Sequence, residues 1–315
     1  MRIFVFTLLM SSFVGNALSQ SQRVVLWKRN YDAAYMHAAV SNILALSEDK
    51  FGKVELISSV KTEQGRAFAN TANGAEIDIF IGAINTDREA RATPLFVPID
   101  RGLLGIRLCL VHAKTPPFSN IQSVDDLRKQ NIIFGFGSHW PDKTVFVREG
   151  LQTVSSPVYE SLFNMLIGNR FDCFARSLPE IGLEIDQRRH LPLKVESHLA
   201  LIYPSAEFMF VNNSNIDLQE RLKYGLARAI ENGSFFRIFD QHHQKTIEKH
   251  QLESRRNIYL ENTDISEKAL NAIMQYGLEG LHGERTQDKN TNTDGTTGID
   301  SQGQSSQNSQ SSSAH

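Results

Sequence analysis

Cysteine is scarce in this chain: 315 residues contain only two. That excludes a small disulfide-stapled scaffold, and a count of 20 glycines excludes a collagen-like repeat. No sign of charge dominates, with 33 Lys and Arg against 35 Asp and Glu, a formal net charge of −2. The chain therefore lacks the electrostatic footprint of a nucleic-acid-binding protein. Long apolar runs are also missing, since the stretch Ile3 to Met10 falls short of the roughly 20 residues that span a bilayer. What is present is an ordinary 41% of hydrophobic residues, too many for a wholly disordered chain. At this length they supply one large domain or two lobes with a sizeable core.

Both ends stand apart from that core. Residues 1–19 read as a secretory signal: Arg2 gives the charged start, the apolar run follows, and Ala17-Leu18-Ser19 offers small residues for cleavage. No cysteine lies near the cleavage site, so the expected product is exported, periplasmic and soluble, without a lipid anchor. Residues 283–315 collapse into Thr, Asn, Gln, Ser, Gly and Asp, a composition that cannot offset ordering entropy, and are expected to form a disordered polar tail. Asn212-Asn213-Ser214 and Asn232-Gly233-Ser234 match the N-glycosylation pattern. Cys109 and Cys173 sit far apart in apolar, strand-like runs; export permits a disulfide, but hydrophobic neighbours favour two buried free thiols.

Between the ends, strand and helix patterns alternate. Arg23 to Trp27 is β-rich, and Asp32 is placed to cap a helix whose apolar residues Met36, Val40, Ile43 and Leu44 keep helical spacing up to Gly52. A strand at Val54 to Val60, a helix at Glu63 to Thr71 and a strand at Ile77 to Ile81 complete a β-α-β-α-β unit, which implies a parallel sheet. A strand from Gly105 to His112 leads into a second such unit, opened by the capping box Ser123-Val-Asp-Asp126. It continues with a strand at Ile132 to Phe136, helices at Asp142 to Arg148 and from Ser156-Pro157, a strand at Phe171 to Ala175 and a helix at Leu178 to Arg188. Strand-like runs then return at Leu199 to Tyr203 and Phe208 to Val211, and helix from Asp217 to about Gln251. Those last elements are too few for a third domain, so the expected architecture is α/β and two-lobed. Residues 20–112 and 204–282 form a discontinuous lobe 1, residues 113–203 form lobe 2, and a double hinge joins them around a cleft.

Four stretches carry a family resemblance. They are Gln64-Gly-Arg-Ala-Phe68 through Gly74-Ala-Glu-Ile-Asp-Ile79 into Asn85-Thr-Asp-Arg88; Pro98 to Arg107; Ser123 to Leu127 with Phe134-Gly-Phe-Gly-Ser-His-Trp-Pro-Asp142; and Gly168-Asn-Arg-Phe-Asp172. In this order and spacing the chain resembles the type II periplasmic solute-binding proteins, in the branch related to polar amino acid receptors, the family 3-like group. The resemblance covers residues 23 to 250. It implies two lobes, each a mixed or parallel sheet flanked by helices, that close on a small solute, and a membrane permease or sensor as partner. The sequence departs from the amino acid receptors at two places. Their second-lobe carboxylate would fall at about Ser177, beside Arg176, and the arginine expected after Thr86 is displaced, Arg88 arriving early and Arg91 late.

Six residues are candidates for ligand contact. Arg88 and Arg176 end strands in the two lobes, where guanidinium groups can hold a carboxylate bidentately; the alternatives are a solvated Arg88 and an Arg176 paired with Glu180 one turn later. Two such arginines favour an anionic ligand over a zwitterion. The strand-to-helix turn before Asp142 offers backbone amides, with Ser138 as a further donor. Trp140 can pack on ligand or cover a hinge, Asp142 can contact ligand or cap its helix, and Tyr31 can form an aromatic wall or a hydrophobic staple. His242, His243 and His250 lack the i, i+4 spacing of paired metal ligands and read as a solvated helix face. No Gly-x-Ser-x-Gly motif and no singled-out carboxylate pair is present, so no catalytic residue, metal or cofactor is expected. The expected protein is a monomeric solute receptor. The alternatives are an enzyme on the same scaffold, such as a dehydratase or transferase, and an interaction protein that no longer binds solute.

Overall fold

A computed structural model describes residues 22–278, so the expected export signal at 1–19 and the expected polar tail at 283–315 lie outside the described residues. The first stretch runs β1 (Gln22–Leu26), α1 (Lys28–Asp32), α2 (Ala34–Ala45), α3 (Glu48–Phe51), β2 (Val54–Ser58), α4 (Gln64–Ala72), β3 (Phe80–Ala83), α5 (Thr86–Arg91) and β4 (Thr93–Pro94). The second runs β5 (Ile106–His112), α6 (Val124–Lys129), β6 (Ile133–Gly137), α7 (Lys143–Arg148), β7 (Gln152–Ser156), α8 (Tyr159–Ile167), β8 (Cys173–Ser177), α9 (Leu178–Gln187), β9 (Leu193–Val195) and β10 (Leu199–Ile202). The last runs β11 (Glu207–Val211), α10 (Ile216–Glu231), α11 (Ser234–Lys249), β12 (Arg256–Tyr259) and α12 (Glu267–Tyr276).

Two sheet systems result. In the first, β2 pairs parallel with β1, β1 meets Ile79 through a parallel bridge, and β11 pairs antiparallel with both β3 and β4. Its helices follow from pattern: α2 buries Met36, Val40, Ile43 and Leu44, the residues whose spacing predicted it, together with Ala39. It crosses α10 so closely that a Cβ on Gly225 would stand 2.0 Å from the Ile43 carbonyl oxygen. The second system is one seven-stranded sheet in the order β12-β10-β5-β8-β6-β7, with β9 also on β5. Its strands β6, β7 and β8 are mutually parallel, as the α/β alternation implies, whereas β5 is antiparallel to β8, β9 and β10.

Several expectations are corrected. Strands β5 and β12, expected in lobe 1, lie in the second sheet: β5 is buried on both faces and is paired along both edges, with β8 on one and β9 and β10 on the other, and β12 pairs with β10. Cys109 and Cys173 are joined in a disulfide: Cys109 lies opposite Ala175, two residues along β8, which leaves the two Cα atoms 5.0 Å apart. Asp32 does not cap α2 but pairs with Lys28 at 3.0 Å; Asn215, not Asp217, caps α10; and Ser156 ends β7 while α8 begins at Tyr159. His243 and His250 are buried instead of solvated, His243 against Tyr35 and Phe239. The helix α5 and the strands β4, β9 and β12 carry too few residues to show periodicity and went unread, as did α12.

The chain passes between the sheet systems at Gly105, at Tyr203 to Ala206, between His250 and Arg255, and after Leu260. One apolar cluster runs continuously from Leu26 and Ile81 through Leu108 and Leu110 to Phe163 and Phe174, so the two systems share core across the crossings.

Candidate functional site

Strand ends of both systems converge on one partly open cavity. From the first come Trp27 between β1 and α1, Arg29 and Asn30 of α1, Gln64 of α4, Ile81 and Ala83 of β3, and Glu207 at the head of β11. From the second come Arg107 of β5, Trp140 and Asp142 before α7, Arg176 of β8 and Glu180 of α9. Its volume of about 50 Å³ admits on the order of four waters, taking about 10–15 Å³ for each.

Charge fills this space in matched pairs. Arg107 and Asp142 are both buried and meet at 2.6 Å, and Arg107 Nε donates to the Tyr203 hydroxyl at 2.8 Å, which in turn donates to Asp142 at 3.1 Å. Burial works against the Arg107 charge, but Asp142, the Tyr203 oxygen and Glu180 outweigh it and raise the guanidinium above its ordinary value. Arg176 is held by Glu184 at 2.6 Å and by Glu180 at 2.8 Å, and lies 4.5 Å over the Trp140 ring, which itself stacks on Phe174. Arg29 reaches from the first system to Glu180 at 3.2 Å and covers the Tyr159 ring at 4.3 Å. Burial pulls the Glu180 carboxyl up, yet Arg176 first, then Arg29, Arg107 and the Ser177 hydroxyl, bring it down to about 2.

Two polar groups are left over. Glu207 forms no side-chain hydrogen bond or ion pair among the described residues, and burial together with neighbouring Asp100 and Glu180 holds its carboxyl well above the usual range. The Gln64 Oε1 atom is buried and has no partner among the described residues. Behind Glu207, Asp100 accepts from the backbone N–H groups of Gly102, Leu104 and Glu207, and burial raises it to about 6.

The six sequence candidates divide evenly. Trp140, Asp142 and Arg176 line the cavity. Asp142 holds the N-cap position of α7 but turns its carboxylate inward to Arg107. Arg88 does not face the cavity: it is buried on Phe68 and Phe80, donating to the Ala83 and His139 carbonyls, and burial lowers it to about 10. Tyr31 packs on His37 with ring centres 4.5 Å apart, and Ser138 is exposed with its backbone N–H spent on Ser156. Sequence reasoning missed Trp27, Arg29, Asn30, Gln64, Arg107 and Glu207 as lining residues. The available signal was a charge heading an apolar strand, in Glu207-Phe-Met-Phe-Val211, and inside one, in Ile106-Arg-Leu108. Among the described residues, no group of three or more His, Cys, Asp and Glu is arranged to hold a metal ion.

Solved structures share this architecture. An ancestral arginine-binding protein bound to arginine superposes with a TM-score of 0.52 at 15% identity, covering 71% of this chain and 98% of its own. The periplasmic VFT2 domain of Bordetella pertussis BvgS does so with 0.54 at 16%, over 70% and 93% of the two chains. The arginine-specific periplasmic binding protein of Salmonella typhimurium gives 0.53 at 11%, over 70% and 99%. The fold is that of a type II solute-binding protein. In this two-lobed α/β fold the cavity described above lies between the lobes. No protein-family model matches the chain, and no curated protein matches it.

Proposed function

We propose that this chain is an exported, periplasmic, monomeric solute-binding protein that closes two lobes on a small carboxylate-bearing solute and presents it to a transporter or membrane sensor. The supporting observation is the cavity itself, to which both lobes contribute and in which Arg29, Arg107 and Arg176 converge. Guanidinium groups there suit a carboxylate, and the unpartnered Gln64 Oε1 and the Glu207 carboxyl call for a hydrogen-bond donor on the same solute. Binding of this kind is differential affinity for the closed state and needs no bond chemistry. Lobe 1 comprises residues 22–105, 204–255 and 260–278, and lobe 2 residues 106–203 with β12; an export signal at 1–19 and a polar tail at 283–315 complete the reading. Among the described residues no helix is long and apolar enough to cross a membrane.

The test is mass spectrometry of solute released from the purified protein, with thermal-shift screening of organic acids and amino acids. A bound carboxylate, or stabilisation at millimolar concentration that is lost in Trp140→Ala and Gln64→Ala, is expected; a flat screen and no co-purifying molecule overturn the reading. A second reading, an interaction module that stays closed without solute, is favoured by the small cavity and by arginines that already have partners. A cleft that is closed in every solution condition, and indifferent to all solutes, decides for it.

A further inference from the structure

Glu180 stands out among the cleft carboxylates because it is gripped from both lobes. Its Oε1 lies 3.2 Å from Arg29 Nη2 of lobe 1 and 2.8 Å from Arg176 Nη2 of lobe 2. Its Oε2 accepts from the Ser177 hydroxyl at 2.5 Å and lies 3.9 Å from Arg107. Ser177-Leu-Pro-Glu180 has the sequence of a capping box, in which the glutamate would reach back to the backbone N–H of the first residue. No such bond forms here, and the carboxylate is turned into the cavity. Glu184, one turn further along α9, holds Arg176 from behind and contacts no lobe 1 arginine.

We propose that Glu180 is a built-in ligand: its carboxylate fills a socket formed by Arg29, Arg107 and Arg176, holds the lobes closed without solute, and gives way to a free carboxylate that takes the same socket. Three observations support this. The groups around Glu180 are those that would receive a ligand carboxylate: two guanidinium groups at contact distance, a third close by and a hydroxyl donor. The link from Arg29 is reinforced by its seat on Tyr159 of lobe 2. Finally, the cavity left beside it holds only on the order of four waters while Glu180 occupies the socket. The exchange step rests on the solute-binding reading above; the latch itself does not.

The socket survives loss of its occupant, since Arg107 keeps Asp142 and Arg176 keeps Glu184. Glu180→Ala should therefore fold and leave a vacancy of carboxylate shape. The experiment compares wild type, Glu180→Ala, Glu180→Gln and Arg29→Gln, each as the full mature chain. Small-angle scattering and thermal shift are recorded in sodium acetate and in sodium chloride at matched ionic strength.

All three variants should show a larger radius of gyration than wild type in chloride. Acetate should restore compactness and raise the melting temperature of Glu180→Ala alone, at a concentration at least tenfold below any effect on wild type. Glu180→Gln, whose amide still blocks the socket, should not be rescued. If Glu180→Ala does not fold, the glutamine and Arg29 variants still decide the latch, because compactness equal to wild type in both overturns it. Acetate acting no better than chloride on folded Glu180→Ala overturns the socket. Rescue of that variant alongside a wild type that takes up no solute overturns the solute reading and supports the socket.

Discussion

Glu180 and Glu207 face the same cavity and differ only in partners. Three arginines hold the first ionised, whereas the second has burial and neighbouring carboxylates acting on it and no hydrogen bond to offset them. A carboxyl raised in the folded state costs stability wherever solution would ionise it, so the cost is present at high pH and vanishes below the unfolded value of 4.5. Glu207→Gln should therefore melt higher than wild type at about pH 8 and level with it at about pH 4, as read by calorimetry across pH. An equal gap at both ends would show that the side chain acts through packing alone. At this scale three of the six residues proposed from the sequence line the cavity. Arg176, Trp140 and Asp142 lie at strand ends or in a strand-to-helix turn, positions that pattern alone identifies. Arg107 is indistinguishable from any charge alternating along a strand until β5 proves to be buried on both faces.

The element that organises the site is β5. It takes hydrogen bonds from β8 on one edge and from β9 and β10 on the other, carries Arg107 into the cavity and Cys109 into the disulfide. The cross-link closes a separation of 64 residues that contains β6, β7 and their helices, so opening it releases a large unfolded-state loop. A Cys109→Ala, Cys173→Ala double variant should lose about 2–4 kcal/mol in urea denaturation, and the reducing agent that weakens wild type by a similar amount should leave the variant unmoved. Identical midpoints for wild type with and without reductant would contradict this. Elements with enough residues to show a period were legible, α2, α10 and β6 among them. The short strands β9 and β12 were not, because three or four residues become a strand only when a neighbour's edge is there to pair with. The disulfide was misjudged for the same reason: separation along the chain says nothing about strands that become neighbours.

For the molecule as a whole, closure brings surfaces of the two lobes into direct contact. Arg88 of lobe 1 donates to the His139 carbonyl of lobe 2 at 3.1 Å, and a Cβ placed on Gly65 of α4 would stand 2.6 Å from the His139 ring. Glycine at that position lets the lobes meet. A bulky Gly65→Phe should prop them apart, with an increase in radius of gyration and loss of any solute-induced compaction, while far-ultraviolet circular dichroism stays unchanged. Scattering identical to wild type would mean that His139 simply swings away. The two-lobed plan was readable because each lobe repeats the strand-helix alternation. The places where the chain changes lobe were only partly so, since the return through β12 depends on pairing with β10.

That return has a mechanical consequence. The crossings at Gly105, Tyr203 and Leu260 lie side by side, Tyr203 donating its backbone N–H to Gly105 and Leu260 to Ile202, and tethers so placed resist twist and sliding more than bending. If the lobes open as proposed, their relative motion should follow mainly one opening angle. One pair of spectroscopic labels, a site on each lobe, should then be enough to follow that opening.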